Sequence, residues 1–198
     1  MTHANMGADA ILLLVQPGGA GSSHFSIESG TWSHITALSS SGGGTALGLF
    51  GSGTASRPAA VAREHRISDR PGAAESARAI AGVFEVVDHR GRRLATLRKR
   101  PLRSIVRTTW EIRLDDGSLV IGHETNPLKT ALRRLLLLAE LLIDVPIRLQ
   151  SGFTFRNASA TLFTVELARD AENTSKVTVA RHFDERIALL QAALTRTR

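Results

Sequence analysis

The final fifteen residues, "DERIALLQAALTRTR" (184 to 198), set the tightest limit on what this chain can become. Asp184 suits an N-cap, Glu185 the first turn of a helix, and Arg196 and Arg198 its last turn, all in line with the helix dipole. The stretch therefore predicts a helix over 184–196. Between Ile187 and Leu194 its only polar residue is Gln191. A helix apolar nearly all the way round must be covered on most sides. What the chain offers as cover is strands.

Alternating runs recur along its length. Ile11 to Gln16 is a short apolar strand stopped by "PGG". "SHFSIES" carries Phe25 and Ile27 on one face, and "TWSHITAL" follows with Trp32, Ile35 and Leu38. "TALGLFG", "IRLQSGFTFRN", "ATLFTVELARD" and "SKVTVARH" are further candidates. Between them one pattern is written twice. "FEVVDHRGRRLATLRK" and "WEIRLDDGSLVIG" are each an alternating run, an acidic turn with glycine, and a return. Asp-Gly-type turns provide the positive-φ positions a tight hairpin needs, so the doubling reads as two hairpins in series, a meander. A helix sealed inside or against a curled sheet is the economical solution, giving a mainly β fold with helices, built as a closed or nearly closed antiparallel barrel.

With 198 residues the chain suits one domain. We expect a loose tail over 1–9 and a single domain over 10–198. The polar stretch 51–79, with Pro58 and Pro71, reads as a long loop or partly disordered insertion. "NPLKTALRRLLLLAELLIDVP" changes period: Asn126 can cap, Pro127 sits at the first helical position and Pro146 marks the stop. It predicts a leucine-rich helix over 127–145, with Arg133, Glu140 and Asp144 on a narrow polar stripe, packed on the barrel rather than laid on a membrane. No apolar run reaches the ~20 residues of a membrane-spanning helix, and the N-terminus lacks the basic start of a secretory signal. The expectation is a cytoplasmic protein, peripheral to a membrane at most.

The two hairpins and the terminal "DERIALLQAAL" resemble the tubby C-terminal-like superfamily, which includes LURP-one-related proteins and the phospholipid scramblases. The resemblance covers roughly residues 83 to 195 and extends to 10–50 by architecture alone. It implies a twelve-stranded antiparallel barrel around a central helix. Activity transfers poorly within that superfamily: tubby proteins bind phosphoinositide headgroups, scramblases are tied to lipid movement and LURP-one proteins have no agreed biochemical role, and the calcium-binding acidic segment and membrane helix of scramblases have no counterpart here.

The residues exclude several chemistries. Cysteine is absent, which removes disulfides, thiolate metal sites and a cysteine nucleophile. There is no G-x-S-x-G elbow, Walker loop, G-x-G-x-x-G or H-E-x-x-H, and the glycine clusters lack a phosphate loop's lysine. The seven histidines show no metal-ligand spacing. His123 beside Glu124 reads as a surface feature at a strand end rather than a base, and Asp115–Asp116 as a turn rather than a metal site. We expect no enzyme, an active site at the barrel mouth being the last of the alternatives, and no cofactor or metal.

Charge is the remaining signal. The formal net charge is +7, nearly all from arginine, which favours polyanions. Arg90, Arg92, Arg93, Arg98, Lys99, Arg100, Arg103 and Arg107 crowd the seam between the two hairpins. Of these, Arg93, Arg98, Lys99, Arg100, Arg103 and Arg107 are the candidates to hold an anionic ligand, such as a phospholipid headgroup, through charge-assisted forks. Nucleic acid is the alternative partner, but with no tyrosine, seven phenylalanines and two tryptophans, stacking platforms are scarce.

Overall fold

A computed structural model describes residues 10–15, 24–38, 46–53, 57–64, 82–100, 109–125, 152–167 and 174–196. Twelve strands occupy most of them: β1 Ala10–Val15, β2 His24–Glu28, β3 Trp32–Leu38, β4 Ala46–Gly51, β5 Ala60–Glu64, β6 Val83–Asp88, β7 Arg93–Arg100, β8 Thr109–Leu114, β9 Leu119–Glu124, β10 Phe153–Arg156, β11 Thr161–Leu167 and β12 Thr174–Val179. Helix α1, Glu185–Arg196, follows. Each strand pairs antiparallel with its sequence neighbours, and β1 pairs with β12, from Ala10↔Val179 to Val15↔Thr174. The barrel is closed, with no free edge.

The stretch 51–79, expected to be a loop, contains β5. Its Ala60, Val61 and Ala62 are all buried. Pro58 stands just before the strand, where its missing N–H costs the ladder nothing, and the small side chains at Ala60 and Ala62 leave little hydropathy signal to find. The tail 1–9 and the leucine-rich segment 127–145 lie outside the described residues.

Up-and-down order gives the barrel two unlike ends. The turns 29–31, 89–92, 115–118, 157–160 and 180–184 lie at the end where α1 begins, as do the end of β4 and the start of β5. Helix α1 finishes at the other end, where β1, β3, β5, β7, β9 and β11 end. At the first end the two acidic turns with glycine form as their chemistry requires. Gly91 and Gly117 take φ of 78° and 83°, and their amides donate to Asp88 and Leu114 carbonyls at 2.9 and 3.0 Å. Asp88 Oδ1 accepts from the amides of Arg90 and Arg92, at 2.8 and 2.9 Å. The Arg92 amide above all holds the Asp88 carboxyl below its ordinary value. Asp116 is lowered likewise, chiefly by the Ser118 hydroxyl.

The inward faces meet α1. Phe25, Ile35, Leu49, Val86, Ile112 and Val177 are buried, as are the helix residues Ile187 to Leu194. Helix α1 touches β12 on one side of the barrel and β4, β5 and β7 on the other, so the strands enclose it. Asp184 caps it as expected: its Oδ1 accepts from the Arg186 amide at 3.0 Å, and its carbonyl from the Ile187 amide at 3.1 Å. Trp32 Nε1 donates to Glu185 Oε2 at 2.8 Å, pinning the first turn to β3. Phe155, Phe163 and Phe183 stack in series, with ring centres 4.1 and 5.2 Å apart, and carry the packing from β10 to the helix entry. Gly122 makes that stack possible: a Cβ there would lie 2.2 Å from the Phe155 ring. A bulge between Val86 and Val87 adds Leu94 to β7, which is why Leu94 and Ala95 are both buried in succession.

Candidate anion-binding face

Alternation along β7 decides where the basic seam goes. Leu97 is buried on the inner face, so Arg98 and Arg100 stand on the outer face and Lys99 on the inner one, beside its cross-strand partner Trp110. These three residues belong to the strand itself rather than to the seam between the hairpins, since β7 runs to Arg100. Arg93 opens β7 at the opposite end, roughly 16 Å from Arg98 at about 3.3 Å per residue. It lies 3.6 Å from Asp115, with both side chains more than half exposed, a pair worth little in stability. Arg90 and Arg92 share that far end. The seam is therefore not one cluster. Arg103 and Arg107 lie outside the described residues.

What the barrel assembles around Arg98 and Arg100 was not legible in the seam. Register places Arg98 opposite Glu111 on β8, Glu111 opposite Ile121 on β9, and Ile121 opposite Arg156 on β10. Arg113 stands two residues along from Glu111 on the same outward face. Arg98, Arg100, Arg113 and Arg156 thus share one patch of barrel wall with a single carboxylate between them. The Glu111 side chain is only 5% exposed. Its Oε2 accepts from Arg100 Nε at 2.5 Å and from Arg100 Nη2, and its Oε1 from Arg113 Nη2 at 3.2 Å. The two guanidinium groups shield it from solvent.

This division assigns different work to each arginine. Arg100 is committed to Glu111. Arg113 shares that carboxylate, yet its side chain stays 66% exposed. Arg98 and Arg156 are exposed and form no ion pair among the described residues. Three guanidinium groups therefore face solvent across β7 to β10. Planar forks of this kind match phosphate and carboxylate oxygens two at a time. Arg113 and Arg156 escaped the sequence reading because each is a lone arginine in an alternating strand; only the register puts them on the outer face that Arg98 shares.

The inner face of the same strands is polar near the end where α1 finishes. Glu124 is buried there, a correction to its reading as a surface residue. It follows the inward positions Val120 and Gly122 on β9, so alternation turns it into the barrel. Burial at Arg196 lowers its guanidinium from the ordinary range. Asp116 serves the hairpin turn, its Oδ1 accepting from the Ser118 amide at 2.8 Å. Among the described residues no group of three or more His, Asp or Glu is placed to share a metal ion, and no helix is long and apolar enough to cross a membrane. No protein-family model, curated protein or solved structure matches the chain.

Proposed function

We propose that the protein is a non-catalytic binding barrel of the tubby-like kind, whose outer arginine face recognises an anionic headgroup at a membrane surface. The observation that carries this reading is the display of Arg98, Arg113 and Arg156 to solvent around a carboxylate that Arg100 already neutralises. A lone buried glutamate would repel an anion; paired in this way, it holds two of the forks in place. Each basic residue near an anionic surface contributes about 1 kcal/mol, so three exposed guanidiniums give weak, reversible attachment. A closed twelve-stranded barrel around a C-terminal helix is also the architecture that the family resemblance implies.

Liposome flotation tests the proposal. The protein should float with vesicles containing phosphatidylserine or a phosphoinositide, and stay behind with neutral phosphatidylcholine. The double variant Arg98→Gln, Arg156→Gln, which leaves both partners of Glu111 in place, should lose most of the difference while keeping its melting transition. Equal partitioning onto neutral and anionic vesicles would sink the reading. Nucleic acid is the second outcome to examine: retardation of duplex or single strands in a gel, falling steeply with salt, without any vesicle preference, would move the same face to a different partner.

A further inference from the structure

His24 and His34 are ten residues apart in sequence, yet the β2–β3 hairpin makes them diagonal neighbours: His24 pairs with Thr36 and Ser26 with His34. Both stand on the outer face, since Phe25 and Ile35 between them point inward and are fully buried. Diagonal cross-strand positions lie within reach of long or aromatic side chains. Here the two imidazole ring centres are 5.7 Å apart, with 32° between their planes.

His34 is held as a metal-binding histidine is held. One face of its ring stacks on Phe50, at 4.6 Å and 8°. Its Nδ1 lies 2.9 Å from Ser33 Oγ. Ser33 is the extra residue of a bulge in β3, and its hydroxyl also lies 3.3 Å from the carbonyls of Phe50 and Gly51. Neither carbonyl can donate, and giving the one hydroxyl proton to them leaves Ser33 Oγ able to accept from the imidazole. Ser33 Oγ then accepts from His34 Nδ1–H. That tautomer puts the lone pair on Nε2, at the outer end of the ring. A second hydrogen bond that fixes tautomer and orientation is the usual companion of a ligating imidazole.

We propose that His24 and His34 together bind a divalent transition metal of the zinc and nickel class, with water completing its coordination. Imidazole nitrogens suit these ions. Two imidazoles that each bring a nitrogen to about 2.1 Å from a shared zinc have ring centres roughly 5–6 Å apart, and the observed spacing falls there. With two protein ligands the site stays open, so exchange with chelators is fast and the remaining coordination positions are free for an anionic or water ligand.

The test is isothermal titration of zinc chloride and nickel chloride into the full chain, purified without a histidine tag. One saturable site is expected. His24→Ala and His34→Ala should each weaken it at least tenfold, and Ser33→Ala should weaken it through the lost orienting bond, by roughly tenfold or more. His3→Ala should leave it unchanged, which separates the site from the N-terminus. If His34→Ala loses its cooperative melt, His24→Gln, at an exposed position, decides. Absence of saturable binding in the parent protein, or unchanged binding in His24→Ala and His24→Gln, overturns the proposal.

Discussion

At Gln191 the core holds an amide where a hydrocarbon would pack. The residue is fully buried, and neither its Oε1 nor its Nε2 has a hydrogen-bond partner among the described residues. Leaving a buried polar group unsatisfied costs about 1–3 kcal/mol. Methionine has nearly the same shape and no such demand. Gln191→Met should therefore raise stability by roughly 1–2 kcal/mol, seen as a higher urea midpoint at unchanged slope. A lower midpoint would show that the amide is satisfied in solution. At the other extreme stands Glu111, buried but served by two guanidiniums, where removing the partners rather than the carboxylate is the damaging change.

Helix α1 is the element on which every strand depends. Ile187, Leu189, Leu190 and Leu194 are at most 3% exposed, and each such side chain contributes about 1.5–3 kcal/mol when buried. Net stability of a domain is only about 5–15 kcal/mol. Deleting residues 184–198 should therefore unfold the protein, because the inner faces led by Phe84, Trp110 and Val177 lose their cover. Leu190→Asp should do nearly the same by burying a charge with no partner. Circular dichroism and a thermal melt report the result. A soluble truncated protein with the parent's cooperative transition would contradict an enclosed helix. The cap is a smaller matter: Asp184 is fixed to Arg186, whose guanidinium is raised by the hydrogen bond to Asp184.

The whole molecule closes by pairing its first strand with its last. β1 hydrogen-bonds to β12 over six residues and to β2 over three. Without β1 the sheet would present β2 and β12 as open edges, ready templates for another chain. A protein lacking residues 1–15 should therefore associate, eluting early in size-exclusion chromatography and scattering light in proportion to concentration. A monomeric, cooperatively melting product would show that closure is dispensable. Pairing the two ends of the chain also makes contact order high, which places refolding in the millisecond-to-second range of non-local β proteins.

Local chemistry settled much of this in advance. The acidic glycine turns, the cap at Asp184, the period-two strands and the nearly all-apolar terminal helix are each written within a few residues of sequence, because turns, caps and amphipathicity are short-range properties. β5 was missed for the same reason: Ala60 and Ala62 carry too little side chain to signal a strand, and only pairing with β4 and β6 makes them one. The arginine face and the histidine pair were decided by register. Period two sends Arg98 outward and Lys99 inward, splitting one basic run between two environments. Pairing then sets Arg113 on the next strand from Arg98 and Arg156 three strands along, all on the outer face, and brings His24 beside His34. Neighbourhood across strands is a long-range quantity, set when the barrel closes around its helix.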